Sequence, residues 1–390
     1  MRQTQLVTTQ GALEDHCKAW RAARCLAFDT EFIRDETYDA ILCLVQVSTP
    51  SSVVLVDPTS GLDLSPFWDL VADPDVVTIV HAGKEDFDVC QRSTGRLPRN
   101  VFDVQIAAGF VGHGYPLSLA RLVSQVLGKR MTKGHTLTDW LRRPLTPEQV
   151  RYAADDVAHL PRLFAVLAEQ LSAAGRSAWA REEFARFEQA AFYKLPPQER
   201  AARLRGTGRL DGLGLLVLEK LILWRDDWAR QKNRPVRALI RDDILIEIAR
   251  RRPQQPRDLE ILRGFPQARN PAIVKQILTL IEEALAAPPD ERPRPVEKRD
   301  DSPMEVALLD LLSAVVQVIC EDEKLSFPLL GSTQRLRELL DFHAGRLKER
   351  PPLLRGWRDE FIGERILDLL EGRSAVRVSG WPKQLRIRIE

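Results

Sequence analysis

Strand-like and helix-like patterns occupy different parts of this sequence, and this division limits the folds open to it. Before about residue 170, short apolar runs such as CLAFDTEF and VVTIVHAG are followed by helical patterns that start near Asp86, Asp103 and Leu117. The first three strand-like runs lie close together, which predicts an antiparallel meander before the helical crossovers. From about residue 200 the apolar residues recur at helical spacing. We therefore expect an α/β domain, a mixed sheet flanked by helices, followed by all-helical regions.

The helical part contains an internal repeat. VRALIRDDILIEIARR has a counterpart in FPLLGSTQRLRELLDF about 90 residues later, and ILRGF is matched by LLRGW at the same separation. Between the copies, residues 287–303 are rich in proline and charge, which is typical of an exposed linker. The sequence thus predicts two small helical domains of similar design.

The remaining composition excludes several classes of protein. A chain of 390 residues is too long for one ordinary core. Its N-terminus is polar and lacks a secretory signal, and no uninterrupted apolar run approaches the length of a membrane span. The five cysteines are scattered and include no CxxC pair, which argues against disulfides or zinc. We expect a cytoplasmic protein that does not contact a membrane.

Charge is distributed unevenly along the chain. Residues 1–165 carry 17 Lys and Arg against 20 Asp and Glu, whereas residues 199–288 carry 18 against 12, a net charge of +6. Arg250, Arg251 and Arg252 form the densest cluster of this basic region. The cluster predicts contact with nucleic acid. The alternative is a solvated helix end at which cations favour the helix dipole.

Two acids follow the first apolar run. In a strand, Asp29 and Glu31 point to the same face because side chains alternate. Two such charges about 5 Å apart repel by roughly 3 kcal/mol at an effective dielectric near 20. An N-cap or a surface pair explains most Asp-x-Glu sequences, so this pair alone is a weak signal of catalysis.

Further acids follow the strand-like run VVTIV. Glu85, Asp86 and Asp88 lie where this strand gives way to a helix. Ligands of α/β sheets gather outside the carboxyl ends of the strands. We expect one of these acids to face the same crevice as Asp29, and the others to favour the N-terminal dipole of the helix.

A third group of polar residues lies on a helix. Thr146 is the expected N-cap of a helix that runs to about Leu171. Tyr152 and Asp156 are four residues apart and share a face of this helix, whereas Asp155 is turned away by about 100°. Four carboxylates from three segments indicate a metal site, and their hard oxygen donors suit Mg²⁺ or Mn²⁺ rather than zinc.

These motifs resemble a known family. DTEF, HAGKEDFDV and YAADDV are similar to the three exonuclease motifs of the DEDD superfamily. A Tyr four residues before the last Asp marks the tyrosine branch, and the histidine-branch position holds Arg151. The flanking sequences, including TDWLRRPLTPEQVRYAADDV, resemble the ribonuclease D family. The two helical copies resemble the helicase-and-RNase-D C-terminal (HRDC) domain.

The resemblance implies a domain order. It predicts an RNase H-like exonuclease domain in residues 1–172 and a helical linker in 173–205. Two HRDC domains follow in 206–288 and 303–376, separated by a second linker in 289–302, and a tail covers 377–390.

The resemblance also implies the roles of the site residues. Asp29, Glu31, Asp86 and Asp156 would hold two divalent ions, Mg²⁺ or Mn²⁺, with Asp29 between them and Asp86 acting on the second partly through water. Tyr152 would orient the attacking water. The repulsion between the acids would then be offset by the bound cations.

Other residues match the segment before the last motif. Lys133, Asp139, Trp140 and Arg143 would either grip the substrate end or serve packing and surface roles. We name Lys133 and Arg143, together with the arginine cluster at 250–252, as candidate nucleic-acid contacts.

The resulting functional prediction is a 3′→5′ exoribonuclease that acts as a monomer and trims the 3′ ends of tRNA precursors and other structured RNAs. It would release 5′-mononucleotides, while the HRDC domains hold the RNA body. Two alternatives remain at this point: a DNA exonuclease for proofreading or repair, and a nucleic-acid-binding adaptor without catalysis.

Overall fold

The computed structural model describes residues 4–131, 139–295, 301–383 and 386–390. The chain divides into two compact units. The larger unit comprises residues 1–31, 42–189 and 301–390, and the smaller unit comprises residues 32–41 and 190–300. The predicted Lys133 lies outside the described residues.

The α/β part of the larger unit is built on a mixed sheet. Within the described residues it has six strands, in the order β1-β4-β3-β2-β5-β6. The strands are β1 (Gln5–Val7), β2 (Cys25–Ile33), β3 (Ile41–Ser48), β4 (Val53–Val56), β5 (Val77–Val80) and β6 (Val101–Asp103).

The pairing of these strands agrees with the predicted mixed sheet. β3 and β4 are antiparallel, as expected of the meander, and β2 pairs in parallel with β5 and β5 with β6. β1 and β6 were not predicted, because three-residue strands are too short to show alternation.

Helices flank the sheet and make up most of the remaining described residues. The α/β part contains α1 (Gln10–Ala23), α2 (Ser65–Val71), α3 (Lys84–Thr94), α4 (Val104–Phe110), α5 (Leu119–Leu127), α6 (Pro147–Ala158), α7 (Leu160–Ala173) and α8 (Ser177–Phe184). The smaller unit contains α9 (Pro197–Arg203), α10 (Gly212–Lys232), α11 (Val236–Leu239), α12 (Asp242–Arg251), α13 (Pro256–Glu260) and α14 (Pro271–Ala286). The last region contains α15 (Pro303–Asp322), α16 (Phe327–Leu330), α17 (Thr333–His343), α18 (Gly356–Arg358) and α19 (Glu364–Leu370).

The helix predicted from Thr146 to about Leu171 is broken in two, so this prediction was wrong in its length. Thr146 is the N-cap, in a capping box with Gln149, as expected. The break falls at His159, between α6 and α7. Pro161 has no N–H to donate to the carbonyl of Val157, four residues earlier. The hydroxyl of Ser48 donates to that carbonyl instead, at 2.6 Å.

The repeat predicted from the sequence is present in the structure. Each copy begins with a long helix, α10 or α15, and continues with a four-residue helix, α11 or α16, and a longer one, α12 or α17. The glycines of ILRGF and LLRGW, Gly264 and Gly356, both adopt positive φ, at +80° and +54°. Equivalent turns therefore end the matching segments.

The second helical copy shares a hydrophobic core with the α/β part. Side chains from α4, α7 and α8 pack in one cluster with side chains from the last region; the buried members include Phe110, Leu163, Leu167, Phe184, Leu312, Leu339, Trp357, Ile362 and Ile366. The copy is therefore an integral part of the larger unit rather than an independent globule.

Buried polar contacts fix the second copy against α8. Trp357, 1% exposed, donates its indole N–H to Glu183 at 2.9 Å and its backbone N–H to Glu182 at 3.1 Å. Arg358 forms an ion pair with Glu183 at 2.7 Å. A Cβ on Gly356 would overlap the Glu182 carboxylate, which explains the glycine at this position.

α15 is long and apolar enough to cross a membrane by length and composition alone. However, one face of it is buried in the core of the larger unit, including Leu309, Leu312, Val315 and Ile319. This is the arrangement of a core helix, which passes the same test.

The C-terminal tail forms a hairpin, which the sequence analysis missed. β7 (Val376–Ser379) pairs antiparallel with β8 (Arg386–Ile389). Residues 377–390 were predicted only as a C-terminal tail, because the basic residues there interrupt the apolar ones and no turn signal was recognised at Gly380.

Candidate active site

β2 brings two of the predicted acids to one face of the sheet. Phe28 points to the opposite face, where its ring lies 5.5 Å from Phe67 and 5.6 Å from Phe87. This aromatic packing fixes the strand, so alternation places Asp29 and Glu31 together on the other face. Both acids are half-buried.

α6 brings the third acid to the same place. Oxygen atoms of Asp29, Glu31 and Asp156 all lie within 4.8 Å of one another. Residues separated by more than 120 positions in sequence therefore meet in one cluster. Asp155 does not belong to this cluster, as its phase on the helix predicted.

Asp86 lies next to these acids but is held differently. It is near the start of α3, 6% exposed, and accepts a hydrogen bond from the hydroxyl of Thr30. Its charge raises the pKa of both Asp29 and Glu31, so it faces the same site. Thr30 was missed by the sequence analysis, although its position between Asp29 and Glu31 could have drawn attention to it.

The crowding of these acids makes them reluctant to ionise. Burial, followed by the charges of Asp86, Asp156 and Glu31, raises the pKa of Asp29 well above its usual value. Burial, with the charges of Asp156 and Asp86, raises the pKa of Glu31 to about 8. Burial raises the pKa of Asp86 and of Asp156 to about 6. A site that gathers four carboxylates at this energetic cost is suited to a cation.

The donor set fits a divalent metal ion. The clustered atoms are all carboxylate oxygens, which are the hard donors that Mg²⁺ and Mn²⁺ prefer. The cluster has neither the cysteine nor the histidine ligands typical of zinc. These oxygen donors therefore agree with the divalent Mg²⁺ or Mn²⁺ predicted from the sequence.

Tyr152 lies one turn before Asp156 on α6 and hydrogen-bonds to it. Burial, followed by the charge of Asp156, raises the pKa of the phenol. The phenol therefore stays protonated at neutral pH and can donate a hydrogen bond, but it is a poor base. The ring of Trp140, 8% exposed, packs 6.0 Å from that of Tyr152.

Arg143 is used inside the protein rather than for substrate. Its guanidinium donates to both carboxylate oxygens of Asp57 at 2.6 Å, to the carbonyl of Cys43 at 2.8 Å and to that of Trp140 at 2.7 Å. The fork is directed at these acceptors, so the prediction that Arg143 contacts nucleic acid is not supported by its position. Asp57, which follows β4, was missed because an acid before Pro58 is typical of a turn.

This arginine ties the chain before α6 to the sheet. We call the Arg143–Asp57 pair and the carbonyl contacts of Arg143 the arginine lock. The loop is held further by Gln149, whose side chain donates to the carbonyl of Asp139 at 3.1 Å. The lock thus sets where α6 begins, and with it the positions of Tyr152 and Asp156.

The predicted basic cluster lies at the end of α12 in the smaller unit. Arg250 and Arg251 both pair with Glu247, and Arg252 pairs with Asp211. The side chains of Arg250 and Arg251 are about half exposed, at 52% and 51%. Contact of this cluster with nucleic acid stays a prediction.

His81 contacts a backbone carbonyl rather than the acidic cluster. Its ring lies at the end of β5, where Nε2 is 2.9 Å from the carbonyl of Leu117. Gln105 donates to the same carbonyl at 3.0 Å. The imidazole closes the strand end and is not among the clustered ligand atoms.

Three segments of the chain match known domain families. Residues 4–172 match the 3′-5′ exonuclease family, residues 215–281 the HRDC domain, and residues 307–366 the C-terminal HRDC domain of ribonuclease D.

Curated relatives and a solved structure cover almost the whole chain. Ribonuclease D of Nitrobacter hamburgensis is 32% identical over 375 residues, which are 96% of this chain and 97% of that protein. Ribonuclease D of Pseudomonas paraeruginosa is 35% identical over 373 residues, 94% of this chain and 97% of that protein. The structure of Escherichia coli RNase D, an exoribonuclease involved in structured RNA processing, matches with a TM-score of 0.82 and 32% identity, covering 95% of this chain and 99% of that one.

Proposed function

Because this chain belongs to the ribonuclease D family of 3′→5′ exoribonucleases, we propose that it trims the 3′ ends of tRNA precursors and other structured RNAs, releasing 5′-mononucleotides. The predicted family, fold class and enzyme class are confirmed. The chain is a nuclease that hydrolyses phosphodiester bonds in RNA.

The observation that carries the proposal is the meeting of Asp29, Glu31 and Asp156 in one cluster, with Asp86 beside it. In our proposal these four residues would hold two divalent ions. When bound, such ions supply an activated water and stabilise the charge that develops on the attacking and leaving oxygens. The carboxylates fix the geometry of the site and neutralise the cations.

Tyr152 is proposed to position the nucleophile. Its phenol stays protonated, and its hydrogen bond to Asp156 holds it at the rim of the acidic cluster. From there its oxygen would accept a hydrogen bond from the attacking water, because its own proton is donated to Asp156. Packing of Trp140 against the ring supports this orientation.

The first helical copy is proposed to hold the RNA body. Residues 199–288 carry a net charge of +6, whereas residues 1–165 carry −3. A basic domain attracts phosphates without reading sequence, and the acidic cluster repels them until cations are bound. RNA would therefore bind through its body and present a single-stranded 3′ end for cleavage.

The experiment is trimming of a 3′-extended tRNA precursor in Mg²⁺, with products sized on a denaturing gel. We expect mononucleotides and a shortened precursor, loss of activity in EDTA, and a decrease of roughly 10²- to 10³-fold for Asp29→Asn. A matched DNA strand that is shortened as fast as the RNA would defeat the proposal. So would an Asp29→Asn variant as active as the wild type.

A further inference from the structure

The C-terminal hairpin has two different faces. Val376 lies opposite Ile389, and these side chains pack against the core of the larger unit together with Ile387. Alternation then directs the arginines of both strands away from that core. Arg377, Arg386 and Arg388 are all exposed.

The outer face concentrates positive charge. Residues 376–390 contain four Lys and Arg against one Glu, a net charge of +3, whereas the whole chain has +2. Arg377 lies directly opposite Arg388, and like charges directly opposite each other destabilise a sheet. Arg377 pairs with Glu390 at 3.1 Å, but with 70% of its side chain exposed this pair contributes little. An anionic ligand would relieve the repulsion.

An exposed aromatic ring lies at the turn of the same hairpin. Trp381 is 78% exposed, whereas the other seven tryptophans of the chain are buried or half-buried. An indole face in water is unfavourable and is suited to stacking on a nucleobase. Lys383 follows in the same turn and is also exposed.

We infer that the β7–β8 hairpin is an RNA-binding surface, on which Arg377, Arg386 and Arg388 contact phosphates and Trp381 stacks on an unpaired base. This inference rests on the proposed function, because it takes the RNA substrate as the ligand. Arginines beside an exposed aromatic ring match single-stranded or looped RNA, which offers both phosphates and free bases. The second helical copy thereby carries its RNA contacts on the hairpin, outside the region that resembles HRDC.

The test measures affinity in the full chain carrying Asp29→Asn, so that RNA is not degraded. Fluorescence anisotropy gives the Kd of a labelled 3′-extended tRNA precursor between about 50 and 200 mM salt. Replacing Arg377, Arg386 and Arg388 together by Gln should weaken binding at least about 10-fold and lower the slope of log K against log salt by about 2 to 3. Arg373→Gln, at a residue paired with Asp368, is the matched control and should leave the slope unchanged.

Trp381→Ala should behave differently from the arginine variants. Loss of one stacked base should weaken binding by roughly 5- to 150-fold without changing the salt slope. Its side chain is mostly in water, so circular dichroism and melting should match the parent protein. Unchanged Kd and slope in both variants would overturn the inference. So would hairpin variants that bind RNA like the parent protein but no longer bind acidic lipid vesicles.

Failure of this inference is distinguishable from failure of the proposed function. In the otherwise wild-type chain, hairpin variants should cleave a five-nucleotide RNA as fast as the parent, because such a substrate is too short to need the hairpin. Absence of cleavage by the parent itself would refute the proposed function instead.

Discussion

Replacing Arg143 by Gln should both destabilise the larger unit and slow RNA cleavage. The substitution removes the arginine lock, because Gln cannot reach the acceptors that Arg143 contacts: the two oxygens of Asp57 and the carbonyls of Cys43 and Trp140. The carboxylate of Asp57, with a side chain only 4% exposed, is then left without its cation.

The expected decrease in the free energy of unfolding follows from the burial of the Asp57 carboxylate. Removing one partner of a buried ion pair costs about 3–5 kcal/mol. Arg143 is 25% exposed, so solvent screens the pair, and we expect the free energy of unfolding to fall by about 2–3 kcal/mol. Adding Asp57→Asn to the variant removes the stranded charge and should restore part of this loss.

The effect should depend on pH in a defined direction. Burial alone would raise the pKa of Asp57, but hydrogen bonds from Arg143 and Thr59 outweigh burial and hold the pKa below its usual value. The stabilisation by the pair is therefore present above about pH 4 and is lost as the pH falls through the pKa of the folded state. Urea unfolding at pH 7 and pH 3 should show the difference between wild type and variant shrinking at the lower pH.

Kinetics distinguish the lock from an RNA contact. A shift of α6 by about 1 Å would displace Tyr152 and Asp156 and lower kcat by up to about 10²-fold, with the Kd for RNA unchanged. Arg142→Gln, at the exposed neighbouring residue, is the control and should retain activity. The reasoning is refuted if Arg143→Gln keeps its stability and kcat but binds RNA more weakly with a smaller salt slope.

Four further predictions concern the acidic cluster and the shared core. Tyr152→Phe should lower kcat by about 10²-fold while calorimetry shows unchanged Mg²⁺ affinity; equal kcat would remove the positioning role. Because the metal-free site holds protons with a pKa of about 8 at Glu31 and about 6 at Asp86 and Asp156, Mg²⁺ affinity should rise from pH 6 to 8 with release of protons. Because these carboxyls bind protons more tightly in the folded than in the unfolded chain, the metal-free fold should lose stability as the pH rises from about 4 through 8. The melting temperature in EDTA should therefore fall over that range, and Mg²⁺ should restore it; a flat profile would contradict the assignment. Deleting residues 301–390 should abolish cooperative unfolding and cleavage of short RNAs, and a stable, active fragment would disprove the shared core.

Much of the acidic cluster could be predicted because its signals are local. Asp29 and Glu31 follow a strand whose alternation is visible, and helical phase alone separates Asp156 from Asp155. Each acid lies where its strand or helix should be apolar. Burying a charged group at such a position costs free energy, which indicates a function. The mixed sheet and the helical repeat were predictable for the same reason, since periodicity is a short-range property.

Other features depend on partners that are distant in sequence. Arg143 could equally have faced RNA, and only the approach of Asp57, 86 residues earlier, decides its role. At the break near His159, the carbonyl of Val157 accepts its hydrogen bond from the hydroxyl of Ser48, 109 residues earlier. The burial of Trp357 in the larger unit could not be inferred from a repeat that suggests two equivalent, separate helical domains.

The core that unites the first and last parts of the chain has a consequence during synthesis. Glu182 and Glu183 on α8 lack their partners Trp357 and Arg358 until those residues have left the ribosome, well after residue 189. At about 5–20 residues per second, this interval lasts roughly 10–35 seconds. We therefore expect a nascent chain on its messenger RNA to carry an incomplete larger unit, and to gain full cleavage activity only when translation is nearly finished.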